Sequence, residues 1–350
     1  MSRGIGEFEP IQEHVPEWLA VIIALLTQLG DVWFLSLLLV TLYWAHTSNR
    51  DDIAVVAGVW LAGMGLYKGL KEIFGFPRPE QVLLDPELLP RTIQPAYEAT
   101  AFATGYGFPS GHAVNATIVY FGLASVLAYG TRRRRFLAAG TLVATVSFSR
   151  VALGVHYLVD VVVGAAVGIA LLLLATTLMK RAPADKPTVT FALAIVTGLF
   201  FVVASDAYRD SIFVLAASLG AFAGWQLIVL GRQVRALDRP SRAPRPIAGR
   251  CSAVALTIAP LAAALELFPP FSPYAIGGLI GLVTAGFVTI PVAWYSDTVR
   301  RTAVALVFLL KVATVGVRYL LEPATWRRTI AAGRTYANRA RERIRAERER

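Results

Sequence analysis

Hydrophobic and polar positions alternate along this chain in blocks, with apolar runs of about helix-spanning length separated by short polar or charged breaks. Residues 18–29 are apolar, Gly30-Asp31 interrupts, and residues 32–44 are apolar again. Each half is short for a membrane span of ~20 residues, so the pattern predicts an outer-surface helix running into a first span, or one long tilted helix. Asp51-Asp52 predict the cap of a second span from Ile53 to about Leu70. Further spans are predicted at about Gly111–Tyr129, Phe136–Ser149, Tyr157–Met179, Val189–Ala204, Ile212–Leu230, Cys251–Phe268 and Tyr274–Trp294. The expected fold is all-α, a polytopic membrane helical bundle of about nine spans.

Composition agrees. Of 350 residues, 56% are hydrophobic and 16% charged, and the mean hydropathy is +0.57, more apolar than one soluble core can bury. The net charge of +11 sits in short loops and the tail, which fits anionic lipid heads and topology, so no nucleic-acid partner is expected. Counted alternately, Arg50, Arg132 to Arg135, Lys180 to Lys186, Arg232 to Arg250 and the tail fall on one face, expected to be cytoplasmic. The loops 71–108 and 150–156 fall on the other, so the N-terminus and any site there face outward. Thr302 to Val317 carries Lys311 and is followed by Arg318, which predicts an inner-surface amphipathic helix, and Arg327 to Arg350 interleaves arginine with glutamate in a helical pattern. Glu7, Glu9, Glu13 and Glu17 give the N-terminus the wrong charge for a cleavable signal peptide, so the first apolar segment is expected to be retained. Cys251 is the single cysteine, which excludes an intrachain disulfide.

Three polar clusters interrupt this scheme at span ends on the outward side. Ser149 to Asp160 reads S-R-x5-H-x3-D. His156 and Asp160, four apart, share a helical face, so the carboxylate can hold one imidazole nitrogen and leave the other free to attack. Arg150 offers a planar fork for a tetrahedral oxyanion. The bland alternative is an interface junction with snorkelling Arg and His and a capping Asp. Lys71 and Arg78-Pro79 (K-x6-RP) pair a point charge with a fork, while Lys68, one turn earlier, reads as a snorkelling lysine. Pro109-Ser110-Gly111-His112 opens a span: Ser110 can cap the helix, Gly111 admits close approach, and His112 projects from the same turn. The intervening loop, 71–108, is long and rich in proline; its Tyr97, Phe102, Tyr106 and Phe108 are candidates to cover a head group at the interface. Besides His112 and His156 only His14 and His46 remain, neither with a ligand cluster, so no metal and no cofactor are expected.

In order and spacing, the three clusters resemble the signature of the type 2 phosphatidic acid phosphatase family, which is similar in its site to vanadium-dependent haloperoxidases and bacterial acid phosphatases. The match holds at every motif position and covers roughly 32–180. The resemblance implies that His156 is the nucleophile, that Asp160 orients it, and that His112 protonates the leaving oxygen and then activates water. It also implies that Lys71, Arg78, Ser110, Gly111 and Arg150 bind the phosphate. The domain reading is then residues 1–31 as an outer-surface helix, 32–182 as a catalytic membrane core, 188–296 as further spans of unassigned role, and 297–350 as an inner amphipathic helix and basic tail.

The function expected is an integral-membrane lipid phosphatase in the cell membrane, cleaving a lipid phosphomonoester or a polyprenyl pyrophosphate through a phosphohistidine. Alternatives are a phosphotransferase with a lipid or sugar acceptor and a lipid phosphate transporter without turnover. The oriented His156 argues against mere binding, and nine spans are a poor match to halide oxidation. Val151, Leu153 and Val155 read as an apolar wall beside the site. Substrate head group and oligomeric state are not legible.

Overall fold

The computed structural model describes residues 3–8, 10, 13–45, 48–79, 83–89, 91–92, 94–181, 185–235 and 245–293. The predicted helix over 302–317, the tail 327–350 and, of the basic loops, residues 182–184 and 236–244 lie outside these residues. The chain divides into two compact units, Met1–Ile290 and Pro291–Arg350, and the candidate site lies in the first.

Every apolar run predicted to span is helical. In chain order the helices are α1 (Glu17–Thr27), α2 (Val32–Ala45), α3 (Arg50–Phe74), α4 (Gln94–Ala101), α5 (Gly111–Val126), α6 (Arg132–Ala152), α7 (Leu158–Met179), α8 (Lys186–Ala204), α9 (Arg209–Arg235), α10 (Arg245–Leu267) and α11 (Pro273–Ala293). Among the described residues, six segments are long and apolar enough to cross a membrane, in α3 and α7 to α11, and seven if the bent pair α1–α2 counts as one. Helix α5 has 16 residues and α6 opens on four arginines, which is why neither passes by length and composition alone, although both pack in the bundle. A 3-10 turn at Gln28–Gly30 joins α1 to α2, and the axes differ by 49°, so the alternative of one long tilted helix is set aside.

The centre of the bundle is α3. Its contacts with α8 are the most extensive of any helix pair, and it also packs on α5, α9, α2 and α7. Close approach is built in by Gly65, where a Cβ would stand 2.6 Å from the backbone of Thr197. At 25 residues and ~1.5 Å rise each, α3 extends roughly 37 Å. Arg50 and the basic loops therefore lie at one end of the bundle and Lys71 at the other.

Two local expectations are corrected. Asp51 and Asp52 do not cap α3: Asn49 holds the cap position without a side-chain bond, and the two aspartates occupy the first turn. There they favour the helix dipole, and Asp51 takes both terminal nitrogens of Arg232 at 2.7 and 2.9 Å. The long loop read as 71–108 starts later, since α3 runs to Phe74, and it carries a 3-10 turn at Pro86–Leu88 and α4.

Candidate active site

Four helix ends converge at the end of the bundle away from the basic loops. The C-terminus of α3 supplies Lys71, the N-terminus of α5 supplies Ser110, Gly111 and His112, the C-terminus of α6 supplies Arg150, and the turn into α7 supplies His156 and Asp160. The join between α5 and α7 is direct: the Ser110 amide donates to the Asp160 carbonyl at 2.9 Å, and a Cβ on Gly164 would stand 2.7 Å from the Ser110 carbonyl oxygen. Thus P-S-G-H and H-x3-D, far apart in sequence, become one surface.

His156 is 1% exposed and Asp160 fully buried. The Asp160 carboxylate lies 3.4 Å from His156 Nδ1 and accepts the Tyr157 amide at 3.1 Å, so it both caps α7 and faces the ring. On the other nitrogen, Arg78 Nη1 donates to Nε2 at 3.0 Å. A guanidinium only donates, so Nε2 bears the lone pair and Nδ1 bears the proton directed at Asp160. Burial, reinforced by Arg78, Arg150 and Lys71, holds the His156 imidazole well below its ordinary pKa. The ring is therefore neutral, with its available lone pair on the nitrogen facing the cations.

Lys71, Arg78, Gly111, His112 and His156 line one cavity of about 480 Å³. Lys71 Nζ donates to the Tyr106 carbonyl at 2.8 Å, and Arg78 donates to the carbonyls of Gly105 and Val155 at 3.1 and 2.9 Å. Both cations are anchored by backbone and carry no carboxylate of their own in these contacts. Arg150 and Ser110 sit behind them, 3% and 0% exposed. Arg150 Nη1 donates to Thr27 at 3.2 Å, while Arg150 Nε and Ser110 Oγ have no hydrogen-bond partner. Ser110 occupies the cap position of α5, as expected, and its hydroxyl makes no capping bond, which leaves that oxygen for a ligand. At Gly111 a Cβ would meet the Tyr67 ring at 2.5 Å, so glycine is required there. Among the described residues no group of three or more His, Cys, Asp or Glu is placed to hold a metal ion.

Sequence reading missed two carboxylate partners. Asp31, read only as a break in an apolar run, brings Oδ2 to 3.6 Å from His112 Nε2. Arg3 forms an ion pair with Asp160, donates to the Pro77 carbonyl at 2.7 Å, and lies 4.9 Å from the Tyr157 ring and 5.0 Å from the Phe76 ring. Glu7 accepts the Leu158 amide at 3.1 Å and Phe8 is buried against Ala113, Val151 and Val161, so residues 3–8 are strapped across the start of α7.

Other assignments change. Lys68 does not snorkel; its ammonium pairs with Asp210 at 3.0 Å and lines the cavity. Val151, Leu153 and Val155 are buried in core clusters, and the apolar surface beside the site is instead Leu158, Val159 and Val162, all exposed on α7. Of the loop aromatics, Tyr97 is buried under α1, Phe108 packs on Phe74 and Phe76, and only Tyr106 lines the cavity.

Residues 52–184 match the PAP2 superfamily. That segment resembles this family. It carries all three motifs, so the family resemblance read from their spacing is borne out. Phosphatidylglycerophosphatase B of Bacillus subtilis is similar at 32% identity over 88 residues, covering 23% of this chain and 43% of that protein. The chain thus matches less than half the length of this curated relative. The crystal structure of a transmembrane PAP2-type phosphatidylglycerolphosphate phosphatase from Bacillus subtilis aligns at 25% identity over 49% of this chain and 84% of its own, with a TM-score of 0.40. The PAP2 segment ends before α8; the helices from α8 onward lie outside it.

Proposed function

We propose that this protein is an integral-membrane lipid phosphatase that cleaves a lipid phosphomonoester or pyrophosphate at the outer membrane face through a phosphohistidine on His156. The observation that carries the reading is the ring geometry of His156: Nδ1–H toward Asp160 and the Nε2 lone pair toward Arg78 in a cavity lined with cations. A site that only bound phosphate would gain nothing from such an oriented lone pair. The PAP2 match and the named relative support the same class.

In the first step Nε2 attacks phosphorus, the bond from phosphorus to the lipid oxygen breaks, and His112 gives that oxygen a proton. Lys71, Arg78, Arg150, the Ser110 hydroxyl and the Gly111 amide hold the three equatorial oxygens, stabilising the charge that builds there. In the second step His112 takes a proton from water, the water oxygen attacks phosphorus, and the nitrogen–phosphorus bond breaks to release inorganic phosphate. Cationic side chains supply the charge neutralisation that divalent ions supply in other phosphatases.

Two further features bear on the substrate. The exposed Leu158, Val159 and Val162 flank the turn that holds His156, so a lipid keeps its chains in the bilayer while its phosphate reaches the cavity. The basic loops at the opposite end of the bundle favour the cytoplasm for that end, with the site outside.

The test is phosphate release from phosphatidic acid, a polyprenyl pyrophosphate and a water-soluble ester by purified protein in one detergent. Turnover of the lipids, loss of acid-labile phosphoenzyme in His156→Gln, and persistence of activity in chelator are expected. Wild-type turnover by His156→Gln, or transfer of phosphate to an added lipid alcohol in preference to water, would overturn the hydrolase reading.

A further inference from the structure

Four of the residues that line the catalytic cavity lie outside the PAP2 segment. They are Phe201, Ser205, Tyr208 and Asp210 at the α8–α9 corner, and Lys68 and Glu72 on α3 line the same cavity. That corner is specifically shaped. Asp206 and Ala207 both adopt positive φ, at 50° and 57°, where side chains are disfavoured and glycine is the usual occupant. The chain there turns tightly enough to bring Tyr208 and Asp210 back over the end of α3, where Lys68 Nζ meets Asp210 at 3.0 Å and lies 5.8 Å from the Phe201 ring. Ser205 Oγ is buried and has no partner.

The chemistry of this wall differs from that of the phosphate end. The cation that lines it, Lys68, is already matched by Asp210, which also lies 3.8 Å from Arg209, and Glu72 adds a second carboxylate, so a second phosphate finds no uncommitted cation in this wall and meets negative charge. Neutral hydroxyl groups, in contrast, find both acceptors (Asp210, Glu72) and groups that donate or accept (Ser205, Tyr208). The cavity, at about 480 Å³, falls within the range of sites for small organic ligands, ~300–1,000 Å³.

We propose that the α8–α9 corner forms a head-group subsite that selects lipid phosphates whose leaving group bears a free hydroxyl next to the phosphoester. This rests on the phosphatase reading above. It assigns to the helices after the PAP2 segment a part in substrate choice. Lys68 and Asp210 hold the wall in position, while Asp210, Ser205 and Tyr208 provide the polar atoms that meet the hydroxyl.

The experiment compares kcat/KM for lysophosphatidic acid, which has a free hydroxyl beside its phosphoester, with that for an alkyl monophosphate of equal chain length and charge. Wild type is expected to prefer the hydroxylated lipid by about tenfold, the worth of one good buried hydrogen bond. Asp210→Asn and, separately, the doubly conservative Ser205→Ala/Tyr208→Phe should lower kcat/KM for lysophosphatidic acid more than for the alkyl ester, bringing the ratio within about threefold of unity. The second variant leaves the Lys68 pair intact and so separates lost recognition from lost folding. A wild-type ratio near one, or a ratio that survives both variants, overturns the subsite while leaving the phosphatase reading in place. Absence of phosphate release from either lipid overturns both.

Discussion

The carboxylate of Asp31 faces Nε2 of His112 at 3.6 Å, joining the kink between α1 and α2 to the first turn of α5. A group that gives a proton to a leaving oxygen and then takes one from water works best when its ring is held and its cationic form is matched by a nearby charge. Replacing Asp31 by Asn is therefore expected to lower kcat by about ten- to a hundredfold for a lipid phosphate and by less for an aryl phosphate with a good leaving group. Equal losses on both substrates would assign Asp31 to folding alone.

Roles of the two histidines separate in a trapping experiment. His156→Ala should form no phosphoenzyme with any substrate, since no other group is set to accept the phosphoryl. His112→Ala should still form it from a good leaving group but release it slowly, so that radiolabel accumulates on the protein. Label on His156→Ala would end the assignment.

The pH dependence follows from the same cluster. His156 is buried among Arg78, Arg150 and Lys71 and its imidazole is held well below the ordinary pKa, so kcat/KM should show no loss from its protonation as pH falls from ~7 to ~6. Arg3 shares the Asp160 carboxylate with the ring. Taking the Arg3 charge away in Arg3→Ala leaves Asp160 acting on His156 alone, favours the imidazolium, and should move the acid limb to higher pH, with Arg3→Lys restoring part of it. An acid limb that stays in place in Arg3→Ala would show that the strap over α7 is structural only.

How much of this was legible in the sequence depends on what kind of signal each residue left. The helices were read because an apolar run has a length, and Lys71, Arg78, Ser110, Gly111, His112, Arg150, His156 and Asp160 were found because each sits in a short pattern at a span end. Asp31 and Arg3 left none: their partners are 81 and 157 positions away, and such pairings have no local spacing. Lys68 was misread for the same reason, since Asp210 arrives from another helix. Val151, Leu153 and Val155 were misread because periodicity reports that a residue is apolar without saying whether protein or lipid will cover it.

Away from the site, Asp185 caps α8 through Thr188 and takes Trp225 Nε1 at 2.8 Å and Arg250 at 2.9 Å. Burial raises this carboxyl, but the bonds from Thr188, Trp225 and Arg250 outweigh it and hold the group below its ordinary pKa. A depressed carboxylate contributes stability above its unfolded pKa, ~3.9, that fades as pH falls through the folded value. Asp185→Asn should therefore lower Tm by several degrees near pH 7, and the gap to wild type should narrow toward pH 4. A gap independent of pH would mean that the charge on Asp185 is immaterial.

Crowding at Gly111 gives a packing test. A methyl there meets the Tyr67 ring at 2.5 Å, and overpacking of this kind costs about 1–3 kcal/mol. Gly111→Ala should lose most activity and some thermal stability, and a smaller residue at 67 should return part of the stability. Full activity in Gly111→Ala would remove the glycine from the phosphate site.

The packing of α3 on α8 sets a limit on how this protein can be divided. A fragment cut to residues 52–184 would leave the glycine face of α3, shaped around Thr197 and its neighbours, with nothing to fill it. The recognisable stretch is therefore not a transplantable module. Grafting it onto foreign spans would need a partner helix with the same relief, and the head-group subsite proposed above would be left behind with α8 and the corner after it.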